Sequence, residues 1–169
     1  MPITPFHFGP GALFKCATPE NFSWAVFAFA NVLIDLEPIL LFILTGDPAH
    51  PWLHTAPGAI AVAIVAATAG RWPCEWLLGW WNRQLSQKQK QWLGTQVVIG
   101  NIAAWTGAFV GTASHILLDG VMHADVRPFW PFLQGNPMQG LVSIEQLQWA
   151  CVLAGVLGLT LLAIMKRKS

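Results

Sequence analysis

The sequence predicts an all-α integral membrane protein with about four transmembrane helices and a short N-terminal re-entrant or interfacial helix. Three observations carry this. Of 169 residues, 54% are hydrophobic and only 10% are charged, against about 25% charged in a soluble domain. Long apolar segments recur along the chain, several of them able to cross a hydrocarbon layer about 30 Å thick. Basic residues gather in two places, Arg71 to Lys90 and Lys166 to Lys168, with two apolar segments between them.

Taken in order, Met1 to Gly11 is rich in Pro and Gly, which argues against a helical start. A short helical turn follows over Ala12 to Ala17 and ends before Pro19. The first span is expected at 22–45, with Asn31, Asp35 and Glu37 inside it and a kink at Pro38. Gly46 to Pro51 is a turn, and the second span, 53–70, is entered at His54. Residues 71–92 place Trp72, Trp76 and Trp80 on one helical stripe before a Gln-rich basic tract. That reads as an aromatic belt at the interface and then an aqueous loop. The third span is expected at 93–123, the Pro-rich stretch from Asp125 to Gly140 is loop, and the fourth span is 147–165. The whole forms one transmembrane domain.

The basic regions 71–92 and 166–168 share a side, which the positive-inside rule makes cytoplasmic, together with the C-terminus. The other loops then face outward. No basic segment precedes an apolar core near Met1, so no cleaved signal is expected. A formal net charge of +1 gives no reason to expect a nucleic-acid partner. Cys16, Cys74 and Cys151 have neither metal-site nor disulfide spacing and read as packing residues. The chain has no G-x-S-x-G, no Walker A loop and no dinucleotide fingerprint, so covalent Ser or Cys catalysis is not expected.

The segment Gly111 to Pro131 carries His115, Asp119, His123 and Asp125 within an otherwise apolar run. Four-residue spacing puts His115, Asp119 and His123 on one helical face. Asp35 lies about 20 Å along the first span at helical rise, and His54 begins the second. Polar residues from three spans therefore meet at one depth, near the outer face. Unpaired carboxylates there cost several kcal/mol on insertion scales, roughly 2.5–3.5 each. They need one another, a cation or water. His7 fits less simply, because four spans with a cytoplasmic C-terminus put the N-terminus on the cytoplasmic side. A re-entrant segment over His7 to Asn21 would carry it to the cluster.

The blander readings fall on other residues. Asn31 is expected to hydrogen-bond between helices. Glu75 and Glu145 are interfacial or capping, His50 is a solvated loop residue, and the Trp residues anchor the interface.

Four elements, Thr4-Pro5-Phe6-His7, Asp35-Leu36-Glu37, His54-Thr55 and Ser114-His115-Ile116-Leu117-Leu118-Asp119, occur in this order. In this the chain resembles the YdjM-type family of membrane-bound metal-dependent hydrolases. Two departures stand out: Glu37 replaces the second Asp of an Asp-x-Asp, and Trp52-Leu53 stands where the family often has Arg-Gly. The resemblance implies a metal site, hydrolytic activity and a location in the bacterial inner membrane.

The candidate metal ligands are His7, Asp35, Glu37, His54, His115, Asp119 and His123, for one or two divalent ions, with Zn²⁺ favoured and Mn²⁺ or Mg²⁺ as alternatives. Such an ion lowers the pKa of its water toward about 7. Glu37 or Asp125 would accept the proton, and Arg127 would hold a phosphate by paired hydrogen bonds. The outer-face position suggests a membrane lipid or lipid-linked phosphoester as substrate. The alternative is an ion- or proton-conducting transport subunit using the same groups. Without an inverted repeat, a carrier of this size would need to be an oligomer. Haem ligation is a third possibility, opposed by the carboxylates beside each His.

Overall fold

A computed structural model describes residues 5–168. All regular structure among them is helical, and the only extended pairing is an isolated bridge between Thr55 and Arg127. A 3-10 turn, Pro5–His7, leads into α1, Phe8–Ala17. The helix thus begins earlier than the Pro and Gly content suggested. Pro10 sits in its first turn, where a missing N–H costs no intrahelical bond. Thr4 lies outside the described residues.

α2, Trp24–Ile34, is capped by Ser23, whose side chain accepts from Val26 N–H. α3, Leu36–Thr45, continues it after a break at Asp35. The break falls one turn before Pro38 because that residue has no N–H for the Ile34 carbonyl. α3 ends at Gly46, whose φ of 78° is a left-handed conformation that favours glycine. α4, Ala56–Ala67, is capped by Thr55 and has 12 residues. At about 1.5 Å per residue it is too short to span a membrane alone, which corrects the expected second span.

Residues 71–92 hold two helices instead of an open loop: α5, Arg71–Gln84, and α6, Gln87–Leu93. A capping box between Ser86 and Gln89 starts α6. α7, Asn101–Met122, begins eight residues later than the expected span. α8, Ile144–Lys168, starts at a reciprocal Ser143–Gln146 cap. Among the described residues, two stretches are long and apolar enough to cross a membrane, Trp24–Thr45 and Ile144–Lys166, fewer than the four expected. α7 has the length, but its polar face around Ser114, His115 and Asp119 lowers its apolarity.

α2 and α7 run parallel with a constant offset of 84 residues. Gly107 and Gly111 create this register. A Cβ at Gly107 would lie 2.5 Å from the Ser23 carbonyl oxygen, and one at Gly111 would lie 3.0 Å from that of Phe27. Two further steps of four residues along the same face reach His115, opposite Asn31, and Asp119, near the level of Asp35. The glycines therefore bring two backbones close enough for short side chains to meet above them.

α4 runs the other way and fills the wedge between α2 and α7. Near the site Ile34, Ala59, Val62 and Ile116 pack together, and farther away Val26, Ala66 and Ala104 do so. α1 lies parallel to α8, with Gly9 against Cys151 and Gly158 against Ala12. At the end away from the site, Lys15 Nζ donates to the Phe22 carbonyl at 2.9 Å and Lys166 Nζ to that of Trp92 at 2.7 Å. Glu75 there accepts from Ile99 N–H and Arg71. Those two bonds, the amide first, hold its carboxyl below the ordinary range. Leu40, Ile43 and Leu44 of α3 and Leu153, Val156 and Leu159 of α8 are exposed, far more apolar surface than isolated positions on a soluble protein.

Candidate metal centre

The four buried groups Asp35, His54, His115 and Asp119 each offer one ligand atom within 4.8 Å of all the others. The break between α2 and α3 turns Asp35 inward, the entry to α4 supplies His54, and adjacent turns of α7 supply His115 and Asp119. His115 Nε2 lies 3.2 Å from Asp35 Oδ1 and 3.2 Å from Asp119 Oδ2. His54 Nε2 lies 3.2 Å from Asp119 Oδ2, 3.7 Å from Asp35 Oδ1 and 3.3 Å from His115 Nε2. A tetrahedral centre with bonds of about 2.0–2.2 Å has ligand–ligand edges of roughly 3.3–3.6 Å. The five measured edges fall close to that range.

The hydrogen bonding around the cluster agrees. Asn31 Nδ2 donates to the Phe27 carbonyl at 2.8 Å, which turns Asn31 Oδ1 toward His115 Nδ1 at 3.0 Å. An amide oxygen only accepts, so Nδ1 carries the proton and Nε2 presents its lone pair to the cluster, the arrangement of a metal-binding imidazole. Asp35 Oδ1 and His7 Nε2 are buried near opposite charges yet lack aligned hydrogen bonds. Asp35 Oδ1 faces the space it shares with His54 and His115, whereas His7 Nε2 faces Asp119 Oδ1. Two carboxylates with two neutral imidazoles also balance one divalent cation; without one, protons on the imidazoles would have to offset the carboxylates. The residues present fit a divalent ion.

His7 reaches the cluster from the start of α1. Its Nε2 is 3.2 Å from Asp119 Oδ1, and its ring stacks on His115 with centroids 4.3 Å apart. It engages the carboxylate oxygen that faces away from the other three ligands. The expectation for Glu37 is corrected: Glu37 Oε2 accepts from the N–H groups of Trp52 and Leu53 at 3.2 and 2.7 Å. Two helical positions differ by about 200° in direction, so with Asp35 inward Glu37 points to the following loop. There it fastens the approach to His54.

His123 and Asp125 lie apart from the four, grouped with His50. His50 is buried, not solvated. Its N–H and its Nδ1 are both 2.9 Å from Asp125 Oδ2. Burial disfavours the Asp125 carboxylate, but the His50 bonds outweigh it and hold its pKa below the ordinary value. The His50 ring is 4.8 Å from that of His123 and 4.6 Å from that of His54. His50, Thr55, Trp52, Asp125 and Arg127 line an open cleft of about 320 Å³. The expected interhelical hydrogen bond of Asn31 is present, from α2 to His115 on α7. Sequence reasoning missed His50, because its partner is 75 residues away.

Comparison with protein families, curated proteins and solved structures found no match to this chain. Replacing Asn31 with Ala frees the His115 tautomer, and metal affinity should fall by about 10–100-fold. Competition against a chromogenic chelator reads this directly; unchanged affinity would remove Asn31 from the site.

Proposed function

We propose that this chain is a membrane-embedded, metal-dependent hydrolase of the YdjM type, acting on a lipid or lipid-linked phosphoester at the outer leaflet. The observation that carries the reading is the convergence of Asp35, His54, His115 and Asp119 on one buried point. The two carboxylates and two imidazoles at near-tetrahedral edges favour Zn²⁺ over Mg²⁺, which prefers six oxygen ligands. When bound with a coordination position left open, such an ion would supply Lewis acidity and an acidified water.

The chain's own residues supply the surroundings. Arg127, exposed at the cleft, presents a fork suited to a phosphate, and Trp52 offers an apolar wall beside it. His50 lies between this cleft and His54. Membrane insertion is supported by the two long apolar stretches and the exposed faces of α3 and α8. Basic residues gather at the end opposite the cluster, which favours a cytoplasmic location for that end and an outward-facing cleft.

Release of inorganic phosphate from lipid phosphomonoesters, and of the alcohol and phosphomonoester products from lipid phosphodiesters, in detergent micelles tests the activity. The Zn²⁺-loaded protein should hydrolyse one class, and chelation should abolish it. Hydrolysis that persists after chelation, or its absence across the panel, would overturn the reading. For orientation, a Cys replacing Gln87, in a chain lacking Cys16, Cys74 and Cys151, should be labelled only after the membrane is opened. Labelling of intact cells would reverse the assignment.

A further inference from the structure

The buried four and the open cleft do not coincide: the cleft touches His50 and Asp125 but none of Asp35, His54, His115 or Asp119. A centre with four protein ligands and almost no exposure has the character of a closed site, whereas a reacting centre keeps a position open. His50, His123 and Asp125 supply that second kind of environment. Each offers one ligand atom within 4.8 Å of the others, and they grade from buried His50 through half-buried His123 to exposed Asp125. The grading leaves one side of the group open to the cleft, where Arg127 stands.

We propose that His50, His123 and Asp125 form a second divalent-cation site, open to the cleft and next to the buried one. It rests on the metal-centre reading above only for its neighbour, since its three ligands are a separate set. The chemistry of the donors is that of a two-imidazole, one-carboxylate site with free positions, which suits Zn²⁺ or another borderline divalent ion. The ring of His50 against that of His54 places the two sites side by side. Asp125 Oδ2 already holds the amide and ring of His50 at 2.9 Å. Asp125 is therefore a ligand and orienting group, not the free proton acceptor read from the sequence. A phosphate oxygen entering the cleft would meet Arg127 and this open cation together, while the buried cation holds the scaffold behind them.

Equilibrium dialysis of the full chain, stripped by chelator and returned to Zn²⁺, decides this by elemental analysis. The wild type should bind two ions per chain. His123→Gln and Asp125→Asn should each lose one and keep the tighter, while His115→Ala should lose the tighter one. Saturation of the wild type at one ion, or two ions retained in both His123→Gln and Asp125→Asn, would overturn the second site. One ion that disappears in His115→Ala would do so while leaving the buried centre standing. No bound ion at all would remove both. Elution of each variant as a single species on size exclusion, like the wild type, excludes misfolding as the cause of a loss.

Discussion

Asp119→Ala should abolish tight metal binding, with affinity for Zn²⁺ falling by more than the ~10–100-fold typical of groups around the ligands. Its two oxygens serve three imidazoles: His7, His54 and His115 each lie 3.2 Å from one of them. Removing it leaves one carboxylate against a divalent charge and three imidazoles without their common acceptor. Each tenfold loss corresponds to about 1.4 kcal/mol, so the effect exceeds 2.8 kcal/mol, the hundredfold value. Glu37→Ala is the informative contrast. Its carboxylate holds the Trp52 and Leu53 amides, so the variant should lose stability, by about 1–3 kcal/mol for lost bonds to a charged group. Metal affinity should stay near that of the wild type. A chelator competition series on both variants measures the difference, and equal losses would mean that Glu37 is a ligand after all.

Gly107→Ala should be among the most damaging of the small substitutions. The new methyl would stand 2.5 Å from the Ser23 carbonyl oxygen and 3.3 Å from Phe27 N, both backbone atoms that cannot rotate aside. Overpacking of this kind costs about 1–3 kcal/mol, set against a gain of about 1 kcal/mol from helix propensity. Separation of α2 from α7 would also pull Asn31 and Asp35 away from His115, so metal affinity should fall along with stability. Gly79→Ala is the control: its Cβ would meet nothing nearer than Arg83 Nη1 at 3.6 Å, leaving the propensity gain of up to about 1 kcal/mol. Thermal unfolding in detergent, followed by circular dichroism, should show opposite shifts for the two variants. A stabilised Gly107→Ala would mean that the α2–α7 approach is looser than described.

The helical class and the heart of the site were legible in the sequence because their signals are periodic or costly to ignore. His115 and Asp119 are one turn apart in an apolar run, and Asp35 and His54 stand where a polar group needs a reason. Hidden from a linear reading were features that depend on distant pairings. The offset that aligns α2 with α7 depends on Gly107 and Gly111, which read as two ordinary glycines until the facing backbone is known. The burial of His50 depends on Asp125, and the destination of Glu37 on the path of the chain through Trp52. Element lengths were missed where apolar loops and helix ends look alike. Thus α4 is shorter than the hydrophobic run that contains it, and residues 71–92 fall in two helices that polarity alone could not distinguish from loop.

X-ray absorption spectroscopy at the zinc edge tests the central claim most directly, on protein purified without chelator and dialysed to one tightly held ion per chain. A shell of nitrogen and oxygen donors is expected at about 2.0–2.2 Å, with outer-shell scattering from two imidazoles and no sulfur, since none of the free cysteines Cys16, Cys74 and Cys151 is among the four ligands. That pattern should vanish in Asp119→Ala. A sulfur shell near 2.3 Å, or the same spectrum in the variant, would place the ion elsewhere and contradict the assignment of Asp35, His54, His115 and Asp119.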